Sequence, residues 1–202
     1  MRTREEQEAI NQACKFHPET KEELQELVDD PKVYLGDIDT SEITNMVYLF
    51  YCSKREDFSG IEKWDISKVT DMSGMFLQCT AFNQPLDNWD VSSVKNMNSM
   101  FYGCENFNQD ISSWDVANVK DMCWMFAWCK KFNQSLNAWS VREDCDCSYA
   151  FCGSNLSLEN VNEAFTKEQF LYCGSVKIIE ALNNEKEQVE VQKVTVKQGR
   201  GR

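Results

Sequence analysis

Residues 89–113 read WDVSSVKNMNSMFYGCENFNQDISS, and residues 114–138 read WDVANVKDMCWMFAWCKKFNQSLNA. Aligned without a gap, the two segments share their Trp-Asp-Val start, a Met-x-x-Met-Phe run, a cysteine and a Phe-Asn-Gln end. The register extends outward in both directions. Tryptophan recurs at Trp64, Trp89, Trp114 and Trp139, each 25 residues after the last. Met72, Met97 and Met122 keep the same period, as do Met75, Met100 and Met125. So do Phe76, Phe101, Phe126 and Phe151, and Cys79, Cys104 and Cys129. The Phe-Asn-Gln triplet starts at Phe82, Phe107 and Phe132. A degenerate earlier copy runs through Ile38, Ile43, Met46 and Phe50, offset by 26 residues from the next.

A period of about 20–50 residues predicts a solenoid, whose coils bury their apolar residues by stacking on one another. Val94, Met97, Phe101 and Cys104 are spaced by three and four, which predicts one short helical face per coil. Asp71, Asn96 and Asp121 stand where a helix start wants a side-chain acceptor. The segment 82–89 reads as a short strand and corner, so stacked coils would form a parallel sheet. The expected fold class is therefore an α/β repeat. Trp64, Trp89, Trp114 and Trp139, with Phe76, Phe101 and Phe126, form its structural ladder, at roughly 1.5–3 kcal/mol per fully buried large side chain. Asn83, Asn108 and Asn133 are expected to point inward and bond backbone groups at a turn.

These units resemble the BspA-like, DUF285 class of leucine-rich-repeat-like proteins, whose signature is W-D-V-S-x-V-x-D-M-x-x-M-F-x-x-C/A-x-x-F-N-Q. The resemblance covers residues 38–153. It implies a right-handed leucine-rich-repeat-like solenoid used for protein interaction. It also implies kinship with bacterial surface proteins and with gene sets of large DNA viruses.

Composition narrows the function classes. The chain has 202 residues, 42% hydrophobic and 27% charged, with 8 Gly and 3 Pro, which fits a packed core and not a disordered or collagen-like chain. A net charge of −12 argues against nucleic acid as a partner. No apolar run approaches the ~18 residues of a membrane span, and the start of the chain reads as a polar helix, not a signal core. The expected location is cytoplasmic or otherwise intracellular, with a virion as the alternative. Without a signal peptide, the 10 Cys read as reduced, small apolar residues.

Four regions are expected: an N-terminal helical cap over 1–37, repeats over 38–154, a C-terminal helical cap over 155–184, and a β-prone basic tail over 185–202. Thr20-Lys-Glu-Glu23 and Thr166-Lys-Glu-Gln169 are capping-box patterns, and a further helix is expected over 3–15. Val176, Ile178, Ile179 and Leu182 suggest one more. The tail reads either as a solvated terminus or as an arm that adds a strand to a partner.

No nucleophile, phosphate-loop, zincin or dinucleotide motif occurs, and the single histidine, His17, has no motif around it. No catalytic residue, cofactor or metal is expected. Cys145, Cys147, Cys152 and Cys173 could supply zinc thiolates, but C-x-C is not the usual zinc spacing, and Cys147 falls on a methionine row. Asp65, Asp90 and Asp115 read as turn caps and not as calcium ligands. The informative positions break the repeat's own rule: Trp124 replaces Gly74 and Ser99, and Trp128 replaces Gln78 and Gly103. Tyr149 continues the Trp124 row and Tyr48 begins it. At i, i+4 the two indoles would lie side by side on an outward helix face, unless the C-terminal helices cover them. Trp124, Trp128, Tyr149 and Tyr102 are thus the expected partner-binding residues. The sequence points to a non-enzymatic, intracellular protein-binding module. The alternatives are a structural component of an assembly such as a large-DNA-virus particle, and an exported surface adhesin.

Overall fold

The computed structural model describes residues 2–161, 164–175 and 177–183. Two helices precede the repeats. Helix α1 (Arg4–Ala13) starts at a complete capping box in which Thr3 and Glu6 each accept the other's backbone N–H. Helix α2 (Lys21–Asp29) starts at Thr20, whose hydroxyl accepts the Glu23 N–H, while Glu23 reaches back to the N–H of Glu19. Near the other end, α3 (Lys167–Tyr172) carries the complete Thr166/Gln169 box. A helical stretch over 177–183 follows.

Between them, successive 25-residue repeats stack through their backbone, but not as strands. Asn45, Asp71, Asn96, Asp121 and Asp146 pair in sequence as parallel bridges, each one residue wide. Among the described residues there is no strand and no sheet, and the only helical turn inside 38–154 is a 3-10 turn at Ile61–Lys63. These findings overturn the expected α/β, right-handed leucine-rich-repeat-like solenoid of parallel strands and short helices. Its predicted helix at 94–104 is a run of tight turns, and its predicted strand at 82–89 is irregular chain.

The hydrogen bonds give the reason. In a helix every N–H would reach the carbonyl four residues back. Here the N–H groups alternate. Met97, Ser99, Phe101 and Gly103 donate forward, to the carbonyls of Asp121, Cys123, Met125 and Ala127 in the next repeat. Met100, Tyr102 and Cys104 donate instead to the carbonyls of Met97, Ser99 and Phe101, three residues back. The third residue of every other turn has a left-handed backbone, near +60°, as at Gly74, Gln78, Ser99, Gly103, Trp124 and Trp128. That conformation closes a type II turn and interrupts a right-handed helix. Steps of three and four therefore recur without an α-helix, because a chain of such turns also returns the same side to the core.

Aspartate and asparagine set the phase of these turns. The Oδ1 atoms of Asp71, Asn96, Asp121 and Asp146 accept the N–H two residues on. Asp65, Asp90 and Asp115 do the same in a second row. Both rows are Asx turns and not helix caps.

Inside, each row is a ladder. Phe50, Phe76, Phe101, Phe126 and Phe151 stack with centroids 5.5, 5.6, 5.7 and 6.3 Å apart. The rings of Phe82, Phe107 and Phe132 stack against this column at 3.9, 4.2 and 4.4 Å. Trp64, Trp89, Trp114 and Trp139 are buried, and their indole N–H groups donate to the carbonyls of Leu35, Ile61, Leu86 and Ile111, one repeat back. The thiols of Cys79, Cys104 and Cys129 donate likewise to the carbonyls of Phe50, Phe76 and Phe101. A buried indole or thiol must find an acceptor, and the stacking supplies one at constant offset. The asparagine ladder forms, but outside the core. Asn83 and Asn133 are exposed and Asn108 is half-buried, with Asn83 and Asn108 each accepting the N–H of the next asparagine in the row.

The ends are tied by polar side chains. Arg55, 8% exposed, donates to the carbonyls of Val28, Val33 and Asp57 and to that of Asp30 just past α2. A guanidinium suits the negative end of a helix, and burial is the main cause lowering its pKa. Gln25 of α2 bonds the Leu49 carbonyl, and buried Gln169 of α3 bonds those of Arg142 and Cys145. Phe165 meets Phe151 edge-on at 5.2 Å. The β-prone basic tail over 185–202 and Val176 of the suggested last helix lie outside the described residues.

Candidate functional site

Two rows of the repeat keep a left-handed backbone but not a constant side chain. One runs Tyr48, Gly74, Ser99, Trp124, Tyr149, Gly174, and the other Cys52, Gln78, Gly103, Trp128, Gly153, all with positive φ. The N–H groups of Tyr48, Gly74, Ser99 and Trp124, and of Gln78, Gly103 and Trp128, donate to carbonyls of the next repeat, while the carbonyls of Tyr48, Gly74, Ser99 and Trp124 accept the N–H three residues on in their own repeat. Their side chains stand on the outside of the turns, so the backbone is determined while the side chain is not.

Where a row carries glycine, it receives the side chain of the preceding repeat. A Cβ on Gly74 would lie 2.2 Å from the ring of Tyr48, and one on Gly153 would lie 2.8 Å from the indole of Trp128. These glycines serve both the positive φ and the close approach of an aromatic face.

The four residues expected to bind a partner fall on or beside these rows. Trp124 and Tyr149 stack with centroids 4.4 Å apart and planes 14° from parallel. Tyr102 meets Trp124 at 6.0 Å, tilted by 55°. Tyr102 and Trp124 are half-buried, while Tyr149 is 49% and Trp128 47% exposed with residues 164–175 and 177–183 in place. The side-by-side pairing of Trp124 with Trp128 does not occur among the described residues. Their backbone is a turn, so Trp124 stacks across repeats while Trp128 lies over Gly153. Tyr51, 56% exposed and 5.8 Å from Tyr48, extends the aromatic surface at the first repeat. It aligns with Tyr102 at an offset of 51 residues, a signal that inspection of single repeats misses.

The polar neighbours are the Asx rows. Asp121 accepts the N–H of Cys123 and the amide of Asn98, and Asp146 accepts the N–H of Ser148. Partial burial, with Asp146 and Asp121 nearby, pushes the Cys123 thiol up to about 11. It is thus held in the neutral thiol form beside Trp124.

Chemistry elsewhere is sparse. His17 is exposed, with Nδ1 3.2 Å from Asp39. Cys145, Cys147 and Cys173 are buried, Cys152 is half-buried, and none is in a disulfide. Burial pushes the Cys79 thiol up to about 12 and holds Cys104 and Cys129 well above the ordinary range. Among the described residues, no group of three or more His, Cys, Asp or Glu could hold a metal ion. No helix among them is long and apolar enough to cross a membrane.

Residues 44–165, more than half of the chain, match the family model described as "Mycoplasma protein of unknown function, DUF285". The match supports the DUF285 part of the resemblance and not its leucine-rich-repeat part. No curated protein and no solved structure matches the chain.

Proposed function

Because the chain belongs to the DUF285 family, whose description assigns no activity, we propose that it is a non-enzymatic protein-binding module that acts through the aromatic surface at Trp124, Trp128, Tyr149 and Tyr102. One observation carries this reading. Trp124, Trp128 and Tyr149 occupy left-handed positions where sister repeats place glycine. A bulky L-residue there costs about 1–2 kcal/mol relative to a right-handed backbone. Trp128 lays only part of its indole over Gly153 and leaves nearly half of it exposed, so its aromatic area is not spent wholly on packing. Backbone strain and exposed aromatic area coincide, the combination found where a surface is kept for contact and not for folding.

The test is affinity capture from the native source by the wild type and by a Trp124→Ala/Trp128→Ala variant with a wild-type circular dichroism spectrum. The reading expects a protein captured by the wild type, cross-linked at residues 102–149, and lost with the variant. Equal capture by both would overturn it.

A further inference from the structure

We propose that the aromatic surface at Trp124, Trp128 and Tyr149 seats a basic segment, and that its occupant is this chain's own residues 193–202. The proposal rests on the reading of that surface as a contact site and adds its regulation. Residues 184–202 lie outside the described ones. Their sequence, and the place where the described chain leaves the repeats, carry the assignment.

The surface suits a cation. Trp124 and Tyr149 stack 4.4 Å apart into one continuous aromatic face, and about half of Trp128 and of Tyr149 is exposed. Such a face attracts a cationic side chain, most often a guanidinium. The neighbouring charge has the matching sign. Asp121 and Asp146 stand three residues before Trp124 and Tyr149 in adjacent repeats. After burial, these two carboxylates are what push up the thiol of Cys123, next to Trp124, so their charge is felt at this surface. Of the cations on the same repeats, Lys130 is held by Glu105 and Arg142 by Asp144.

The tail supplies what the surface attracts. Residues 193–202 contain Lys193, Lys197, Arg200 and Arg202 and no acid, in a chain whose net charge is −12. The tail is also tethered beside its seat. A Cβ on Gly174 would lie 3.1 Å from the Tyr149 ring. Lys177 donates to Asn155 at 2.8 Å, two residues past the glycine that lies under Trp128. From residue 183, the end of the described chain, residues 184–192 lead to Lys193 and span up to about 30 Å. A segment on so short a tether has an effective concentration on the mM scale, so a contact with a mM dissociation constant covers about half of the molecules. The tether thus favours the tail over a free basic peptide, and a partner of this surface has to displace it.

The test is acrylamide quenching of tryptophan fluorescence in the full chain. Trp64, Trp89, Trp114 and Trp139 are buried, so quenching reports on Trp124 and Trp128. The variant Lys193→Gln/Lys197→Gln/Arg200→Gln/Arg202→Gln should raise the quenching constant about twofold, the release of a half-covered surface. Asp121→Asn/Asp146→Asn keeps an Oδ1 acceptor for each Asx turn and should raise it as far. So should about 1 M salt on the wild type, where the screening length is about 3 Å. Carbodiimide coupling of the wild type, mapped by mass spectrometry, should join Lys193 or Lys197 to Asp121 or Asp146 within one chain. Equal quenching in the wild type and both variants would overturn the proposal. So would coupling of these lysines only to other carboxylates, or a wild-type quenching constant that rises on dilution, which would assign the tail to a second copy. The reading of the surface as a contact site is separate from these outcomes, since it stands or falls on capture by the Trp124→Ala/Trp128→Ala variant.

Discussion

The inner rows and the left-handed turn rows belong to the same repeats, yet they treat sequence in opposite ways. Inside, Phe76, Phe101 and Phe126 are identical, because each ring is clamped between its own copies, as Phe101 is at 5.6 and 5.7 Å. On the turns, Gly74, Ser99, Trp124 and Tyr149 share a backbone conformation and nothing else. Stacking fixes what lies between repeats and leaves free what points away from them. The fold is thus carried by repetition, and any specific contact must be carried by departures from it.

Substitutions can break or sharpen this contrast. Phe101→Ala removes the middle of the column and should cost about 3–5 kcal/mol in urea unfolding, with loss of cooperativity as a further sign. The core thiols predict a pH effect. Folded Cys79 titrates near 12 and an unfolded thiol near 9.0, so above pH 9 the unfolded chain releases protons that the folded one keeps. Stability is then fully present below pH 9 and falls as pH rises toward 12, by up to about 1.4 kcal/mol per pH unit for each such thiol. Cys79→Ala should flatten that fall; an unchanged slope would remove the thiol ladder from the account.

Trp114→Phe deletes the indole N–H that reaches the Leu86 carbonyl and should cost about 1–2 kcal/mol, read from the same urea titration. Turn positions should respond by backbone and not by burial. Gly74→Ala should destabilise by about 1–2 kcal/mol, because it strains a positive φ and drives a Cβ into Tyr48. Exposed Gln78, at φ 62°, should show the opposite sign: Gln78→Gly is expected to raise stability by about 0.5–1 kcal/mol in thermal unfolding.

The repeat, its period and its buried rows were legible in the sequence, since Trp64, Phe76 and Cys79 recur in strict register. The local conformation was not. Val94, Met97, Phe101 and Cys104 satisfy a helical spacing, but an inter-repeat bond at every second N–H competes with the helix and wins. That competition is visible only once the next repeat is in place. The asparagine ladder was legible as a ladder but not as an exposed one, because Asn83 bonds the next repeat's backbone at the surface. Arg55 could not have been found, since its acceptors are carbonyls around the end of α2 that no sequence pattern marks. For the aromatic surface, the broken repeat rule located Trp124 and Trp128 and set Tyr149 next on the Trp124 row, where the two rings stack, but it wrongly paired the two indoles with each other.

The separation of fold rows from contact rows is tested most directly by one variant, Trp128→Ala, measured for both urea stability and partner capture. The account predicts a stability loss of about 1–2 kcal/mol, the packing of the half-buried indole over Gly153 and well short of the loss for Phe101→Ala, together with a marked loss of capture. A stability loss on the scale of Phe101→Ala, or full capture by the variant, would contradict it.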